Sequence, residues 1–165
     1  FDTALGIFKK IIASDSLNAL AWFNLGLVYK FTEKYKEALD AFNTTEQIEP
    51  EFDGLHINRG NVFEEVGNYE MAMRDYDLAI IDNPRNPEIY FYRGNLLFEL
   101  KEYHSAIEDF SYSIKLDPEI PTAFTNRGLA RFEIKDKEGA CKDWKEAFVL
   151  GSEYAQQLLK KYCSK

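Results

Sequence analysis

The chain has 165 residues and a net charge of −8, a balance that works against nucleic-acid binding, which rewards clustered lysine and arginine. Apolar residues make up 45%, with 13 Phe and 10 Tyr, enough to bury a sizeable core and to argue against disorder. No apolar run approaches the ~18 residues that span a bilayer, so no membrane insertion is expected.

The opening residues, "FDTALGIFKK", lack the basic, apolar and small-residue layout of a secretion signal and do not begin with Met. They read as the start of a fragment or of a processed product. From residue 20 the chain falls into amphipathic helical segments, first 20–31 and then 36–48, joined by the short polar turn "TEKY". The arrangement returns around "VGNY", "KEYH" and "KDKE". Its period is 34 residues, kept by Gly26, Gly60, Gly94 and Gly128, by Ala38, Ala72, Ala106 and Ala140, by Phe42, Tyr76, Phe110 and Trp144, and by Pro50, Pro84 and Pro118. A glycine facing an alanine lets two helices approach closely, which explains why a cost of roughly 1 kcal/mol for glycine inside a helix is tolerated. The prolines end second helices, while Pro87 and Pro121 suit the first turn of the next helix, where a missing N–H is harmless.

The stretch "WFNLGLVY" at 22–29, followed by Ala38, Phe42 and Pro50, resembles the tetratricopeptide repeat, whose pattern is Trp-x-x-Leu-Gly-x-x-Tyr, then Ala-x-x-x-Phe, then Pro. The resemblance covers essentially the whole chain as one domain over 1–165, with repeats at 19–52, 53–86, 87–120 and 121–152. Residues 1–18 align as the second helix of a truncated repeat, with Ala4 and Phe8 in the Ala38 and Phe42 slots, and 153–165 as a capping helix. His56, Tyr90 and Phe124 replace the Trp in the later repeats. The resemblance implies an all-α, right-handed α-solenoid whose stacked helix pairs bury one continuous core. In the cap, Tyr154, Ala155, Leu158, Leu159 and Tyr162 form an apolar face. No cap precedes the first helix, so Leu5, Phe8 and Ile12 are expected to lie partly bare, a surface for self-association through the N-terminal end.

Comparison between repeats separates two kinds of polar residue. Before the glycine stand Leu25, Arg59, Arg93 and Arg127; sixteen residues later stand Ala41, Asp75, Asp109 and Asp143. The repeat without the arginine is the repeat without the aspartate. The expected pairs are therefore Arg59–Asp75, Arg93–Asp109 and Arg127–Asp143, half-buried and linking the two helices of a repeat.

The asparagines read differently. Asn24, Asn58, Tyr92 and Asn126 lie two positions before the glycine, and Asn61 and Asn95 one position after it. Similarity to tetratricopeptide proteins implies that first helices line a concave groove, where spaced asparagines can clamp the backbone of an extended peptide. Phe23, Ile57, Phe91, Phe98 and Phe132 are expected on the same face as apolar contacts, and Glu64, Glu65, Glu99 and Glu133 as its acidity. The family's clamp for chaperone C-terminal carboxylates is not matched: Ile57 and Thr122 stand in basic slots and Tyr92 in an asparagine slot.

His56 and His104 stand alone, without the spacing of a metal site, and no phosphate-binding loop, nucleophile elbow or paired-carboxylate arrangement stands out. No cofactor, metal or enzymatic activity is expected. Cys141 and Cys163 fall about equally far from a bend near 151–152. They either meet, in which case a disulfide points to a periplasmic setting, or stay separate thiols, for which a cytoplasmic setting is favoured. The expected function is a protein–protein interaction module, an adaptor or scaffold whose groove binds an extended, neutral-to-basic peptide. The alternatives are a substrate-recruiting arm of a larger enzyme and a structural self-assembly module.

Overall fold

Polar caps and prolines start the helices, and left-handed residues turn them. In the computed structural model, which describes residues 2–163, Asn18, Asn68, Asp136 and Ser152 accept hydrogen bonds from backbone N–H groups of the helices they precede. Residue 1 and residues 164–165, the outer ends of the expected first helix and cap, lie outside the described residues. The chain divides into two compact units, Phe1–Pro84 and Arg85–Lys165. The first holds α1 (Asp2–Ser14), α2 (Ala19–Phe31), α3 (Tyr35–Ile48), α4 (Leu55–Glu65) and α5 (Tyr69–Asp82). The second holds α6 (Pro87–Glu99), α7 (Tyr103–Leu116), α8 (Pro121–Glu133), α9 (Lys137–Val149) and α10 (Glu153–Leu158).

Four hairpins result: α2/α3 and α4/α5 in the first unit, α6/α7 and α8/α9 in the second. Their connecting turns share one backbone device. Glu33, Gly67, Lys101 and Lys135, each 34 residues from the last, adopt φ of 58°, 74°, 64° and 70° and reverse the chain within a few residues.

Inside each hairpin the glycine of the first helix lies against the ring of the second. A Cβ on Gly26 would come within 2.6 Å of the Phe42 ring, one on Gly60 within 2.9 Å of Tyr76, and one on Gly94 within 2.8 Å of Phe110; Gly128 meets Trp144 in the same way. All four rings are fully buried, as are Ala38, Ala72, Ala106 and Ala140 one turn earlier, so the ring has nowhere to retreat.

The ends depart from the sequence reading in two ways. On α1, Leu5, Phe8 and Ile12 are partly exposed, but Ile7 and Ile11, which the sequence reading left out, are more exposed still. At the other end α10 stops at Leu158 and continues as a π-helical turn, Leu159–Cys163, rather than as one α-helix. Ala155 and Leu158 are buried against Ala140, Trp144 and Ala147, with Leu159 and Tyr162 beside them. That centres the buried face away from Tyr154, which is 54% exposed rather than part of it. Cys141 of α9 and Cys163 form a disulfide that ties this cap down.

Three measurements check this packing. Gly94→Ala should lower stability by about 1–3 kcal/mol in urea titration, because overpacking outweighs the gain in helix propensity. Gly6→Ala on α1, where a Cβ meets nothing within 4 Å, should instead raise it by up to ~1 kcal/mol. Reducing Cys141–Cys163, which are 22 residues apart, should cost about 3 kcal/mol, read as an earlier midpoint in dithiothreitol; an unmoved midpoint would rule out a stabilising tether.

Candidate functional site

Each repeat arginine sits on the first helix of a hairpin and reaches the second. In the first unit Arg59 of α4 donates from Nε to Asp75 Oδ2 at 2.7 Å and from Nη2 to Asp75 Oδ1 at 2.9 Å. Its other edge grips Glu46 of α3 at 2.6 and 2.9 Å, and Asn43 at 3.0 Å. Arg59 and Asp75 are 5% and 1% exposed, so the charges are satisfied by one another rather than by water. Burial alone pulls the Arg59 pKa down, but the hydrogen bonds and charges of Asp75 and Glu46 outweigh it and the net shift is upward. The Arg59 hydrogen bond holds Glu46 below the usual carboxylate range, against an opposing effect of burial.

His56 belongs to this cluster. Read from sequence as a solitary histidine, it is buried, with Nδ1 2.6 Å from Asp82 and Nε2 3.4 Å from Glu46. Those partners come from α5 and α3, on either side of α4, so no local spacing announces them.

In the second unit Arg93 pairs with Asp109 at 2.7 and 2.8 Å, and Arg127 with Asp143 at 2.9 and 2.7 Å. Arg127 also donates to Ser111 Oγ at 3.1 Å and lies over the Phe124 ring, 5.5 Å from its centroid. Arg131 adds a second cation to Asp143 at 2.8 Å. In α2/α3 the equivalent places hold buried Leu25 and Ala41.

The asparagine slots lie where first helices touch: α2 against α4, and α6 against α8. Between α2 and α4 the centre is Lys30, absent from the sequence reading. Its Nζ donates to Asn58 Oδ1 at 3.0 Å, and Asn58 Nδ2 returns to the Gly54 carbonyl at 2.9 Å. With its amide turned so that every atom faces a complementary group, Asn61 accepts from Lys30 at 3.2 Å and donates to the Tyr76 hydroxyl at 2.7 Å. That hydroxyl donates to Glu64 at 2.7 Å. Burial lowers the Lys30 pKa, partly offset by Glu65, which accepts from the Tyr35 hydroxyl at 3.4 Å.

Other members of the expected groove are spent elsewhere. Ile57 is 8% exposed and belongs to the core rather than to a peptide surface, because α4 is packed by α2, α3 and α5. Phe23 stacks against Phe42 and Phe52, and Phe132 against Trp144 and Tyr162. Asn24 donates to its own helix at Leu20 O.

The strip between α6 and α8 is more open. Asn126 Nδ2 donates to Asn95 Oδ1 at 2.8 Å; the remaining Asn95 amide hydrogens and the Asn126 oxygen have no further side-chain partner among the described residues. Half-buried Phe91 and Tyr92 meet edge to face, Phe98 leans on Tyr103, and Glu99 and Glu133 stand exposed at the ends of α6 and α8.

Helix hairpins recurring every 34 residues, with α2 beside α4 and α6 beside α8, define an all-α repeat protein of the α-solenoid class. Family models of the tetratricopeptide repeat match residues 19–52 and 87–120, which hold the α2/α3 and α6/α7 hairpins, so the chain carries repeats similar to that family. Its fold is similar to that of MamA, with a TM-score of 0.86 at 21% identity over 94% of this chain and 91% of that one. It is also similar to YrrB, described as a TPR protein with an unusual peptide-binding site, with a TM-score of 0.81 at 25% identity over 97% and 83%. The first TPR domain of Spaghetti, bound to an HSP90 peptide, gives 0.63 at 27% identity over 66% of this chain and 88% of that one. Over 52 residues the chain is 44% identical to the Lipoprotein NlpI homolog of Haemophilus influenzae, a match spanning 32% of this chain and 17% of that protein. The chain is a protein-interaction module.

Arg59→Ala should destabilise by about 3–5 kcal/mol, because it strands Asp75 in the interior. Combining Arg59→Leu with Asp75→Ala, the pair that α2/α3 already uses, should recover most of that loss in urea denaturation; a double variant no better than Arg59→Ala would refute the coupling.

Proposed function

We propose that this module holds an extended, neutral-to-basic peptide segment of a partner protein, with the strip between α6 and α8 of the second unit as the principal contact. The observation that supports this reading most is the Asn95–Asn126 bridge. Each side chain spends part of its capacity on the other and keeps one complementary group outward, a donor from Asn95 and an acceptor from Asn126. A peptide unit presents one acceptor and one donor, so such a pair engages backbone without demanding a particular side chain.

Neighbouring groups support the rest. Half-buried Tyr92 and Phe98 offer ring surface, and Glu99 and Glu133 favour a neutral or basic segment over an acidic one. Between α2 and α4 the asparagines are largely engaged by Lys30, which makes that strip the more selective and less adaptable part. A C-terminal carboxylate ligand is disfavoured, because Ile57 and Thr122 occupy the slots where a family clamp needs cations.

The disulfide supports an oxidising compartment, and the partial likeness to a protein named as a lipoprotein agrees with a cell-envelope setting.

Affinity capture with mass spectrometry identifies the partner, and calorimetry on its captured segment tests the site. Asn95→Ala with Asn126→Ala should weaken binding roughly tenfold or more while leaving the melting midpoint nearly unchanged. Unaltered affinity would remove the asparagine pair from the contact.

A further inference from the structure

A cavity of about 390 Å³ opens between α1, α2 and α3, away from the asparagine strips. Its wall includes Trp22, Leu25 and Ala41, and its rim carries Glu37 and Asp40 on α3 with Lys9 on α1. The repeat period explains why it is empty of protein. Thirty-four residues on, Leu25 becomes Arg59, Ala41 becomes Asp75, Ile12 becomes Glu46 and Lys9 becomes Asn43, the four members of one hydrogen-bonded cluster. In that next gap, between α3 and α5, the chain's own guanidinium fills the space. In the first gap every member of the cluster has been replaced, and the space stays open.

We propose that this pocket receives a basic side chain, arginine above all, from a partner segment. Two features of the chain itself indicate the chemistry. First, the aromatic platform is retained: Trp22 occupies the slot of Phe124, and Phe124 carries the Arg127 guanidinium 5.5 Å from its ring centroid. The Trp22 indole is held in place by donating Nε1 to the Ser16 carbonyl at 3.0 Å. A guanidinium laid on that indole repeats what the second unit does internally, on a better cation–π surface. Second, the side-chain carboxylates of Glu37 and Asp40 are exposed at the rim and have no ion pair or hydrogen bond among the described residues. With Lys9 opposite, the carboxylates remain in excess, and a planar fork of donors satisfies both at once. An apolar side chain would fill the space but leave the excess negative charge at the rim uncompensated.

The pocket shares no residue with the α6/α8 strip, so the two sites stand or fall separately. The test uses the full chain, ¹⁵N-labelled, titrated with the peptide Ac-Gly-Arg-Gly-NH₂ while the indole N–H resonances are followed. Trp144 is fully buried and donates to the Thr125 carbonyl, so its indole serves as the internal control. The expected result is a saturable shift of the Trp22 indole alone, with a Kd on the order of millimolar. Replacing the arginine by norleucine, or combining Glu37→Gln with Asp40→Asn at these exposed positions, should weaken it about tenfold. No saturable shift up to roughly 20 mM peptide, equal binding of the norleucine peptide, or equal binding by the double variant would each overturn the proposal.

Discussion

The architecture rests on a contact that leaves no room: a glycine of one helix pressed on the ring of the next. Gly26, Gly60, Gly94 and Gly128 each meet a ring that is itself fully buried, so the separation of the two helices is set by van der Waals contact on both sides. A flexible side chain could absorb error there; a bare backbone against a flat ring cannot. Because the same pair recurs every 34 residues, the four hairpins are built to one internal gauge, and side chains at matching positions take matching places.

On that constant frame the chain varies one position at a time, and the arginine slot shows what variation does. Three hairpins fill it with a guanidinium on an aspartate, and one with Leu25 above Ala41. Both solutions are compatible with the same helix spacing, because that spacing is set by the glycine and ring rather than by what fills this slot. They differ in what they do around the slot. The ionic version recruits Glu46 and Asn43, or Ser111, from the preceding hairpin and so locks neighbours together directionally; the apolar version leaves a cavity.

Sequence revealed those features that repetition makes visible, and concealed those that happen once. The period could be read because glycine, alanine and ring are each restricted by contact to few residue types. The sixteen-residue offset from arginine to aspartate was legible because both members vanish together at Leu25 and Ala41. Glu46 was not, since Ile80 and Ile114 stand in its slot and the bond crosses from one hairpin to the next. Lys30 shares its slot with Glu64, Phe98 and Phe132, a set without a common chemistry, although listing that set would have exposed a cation on the first helix. Ile57 was misjudged because assigning a helix one inner face ignores that α4 is packed by helices on several sides.

The hairpin turns carry a further implication. Glu33, Lys101 and Lys135 hold a left-handed backbone that L-residues enter at a cost of roughly 1–2 kcal/mol, where Gly67 enters freely. Selection has thus left slack at three corners that lie outside the asparagine strips and the arginine pocket. A lineage could trade a destabilising change in a binding surface against a single glycine at one of these corners, and so alter what it recognises without altering how it is built.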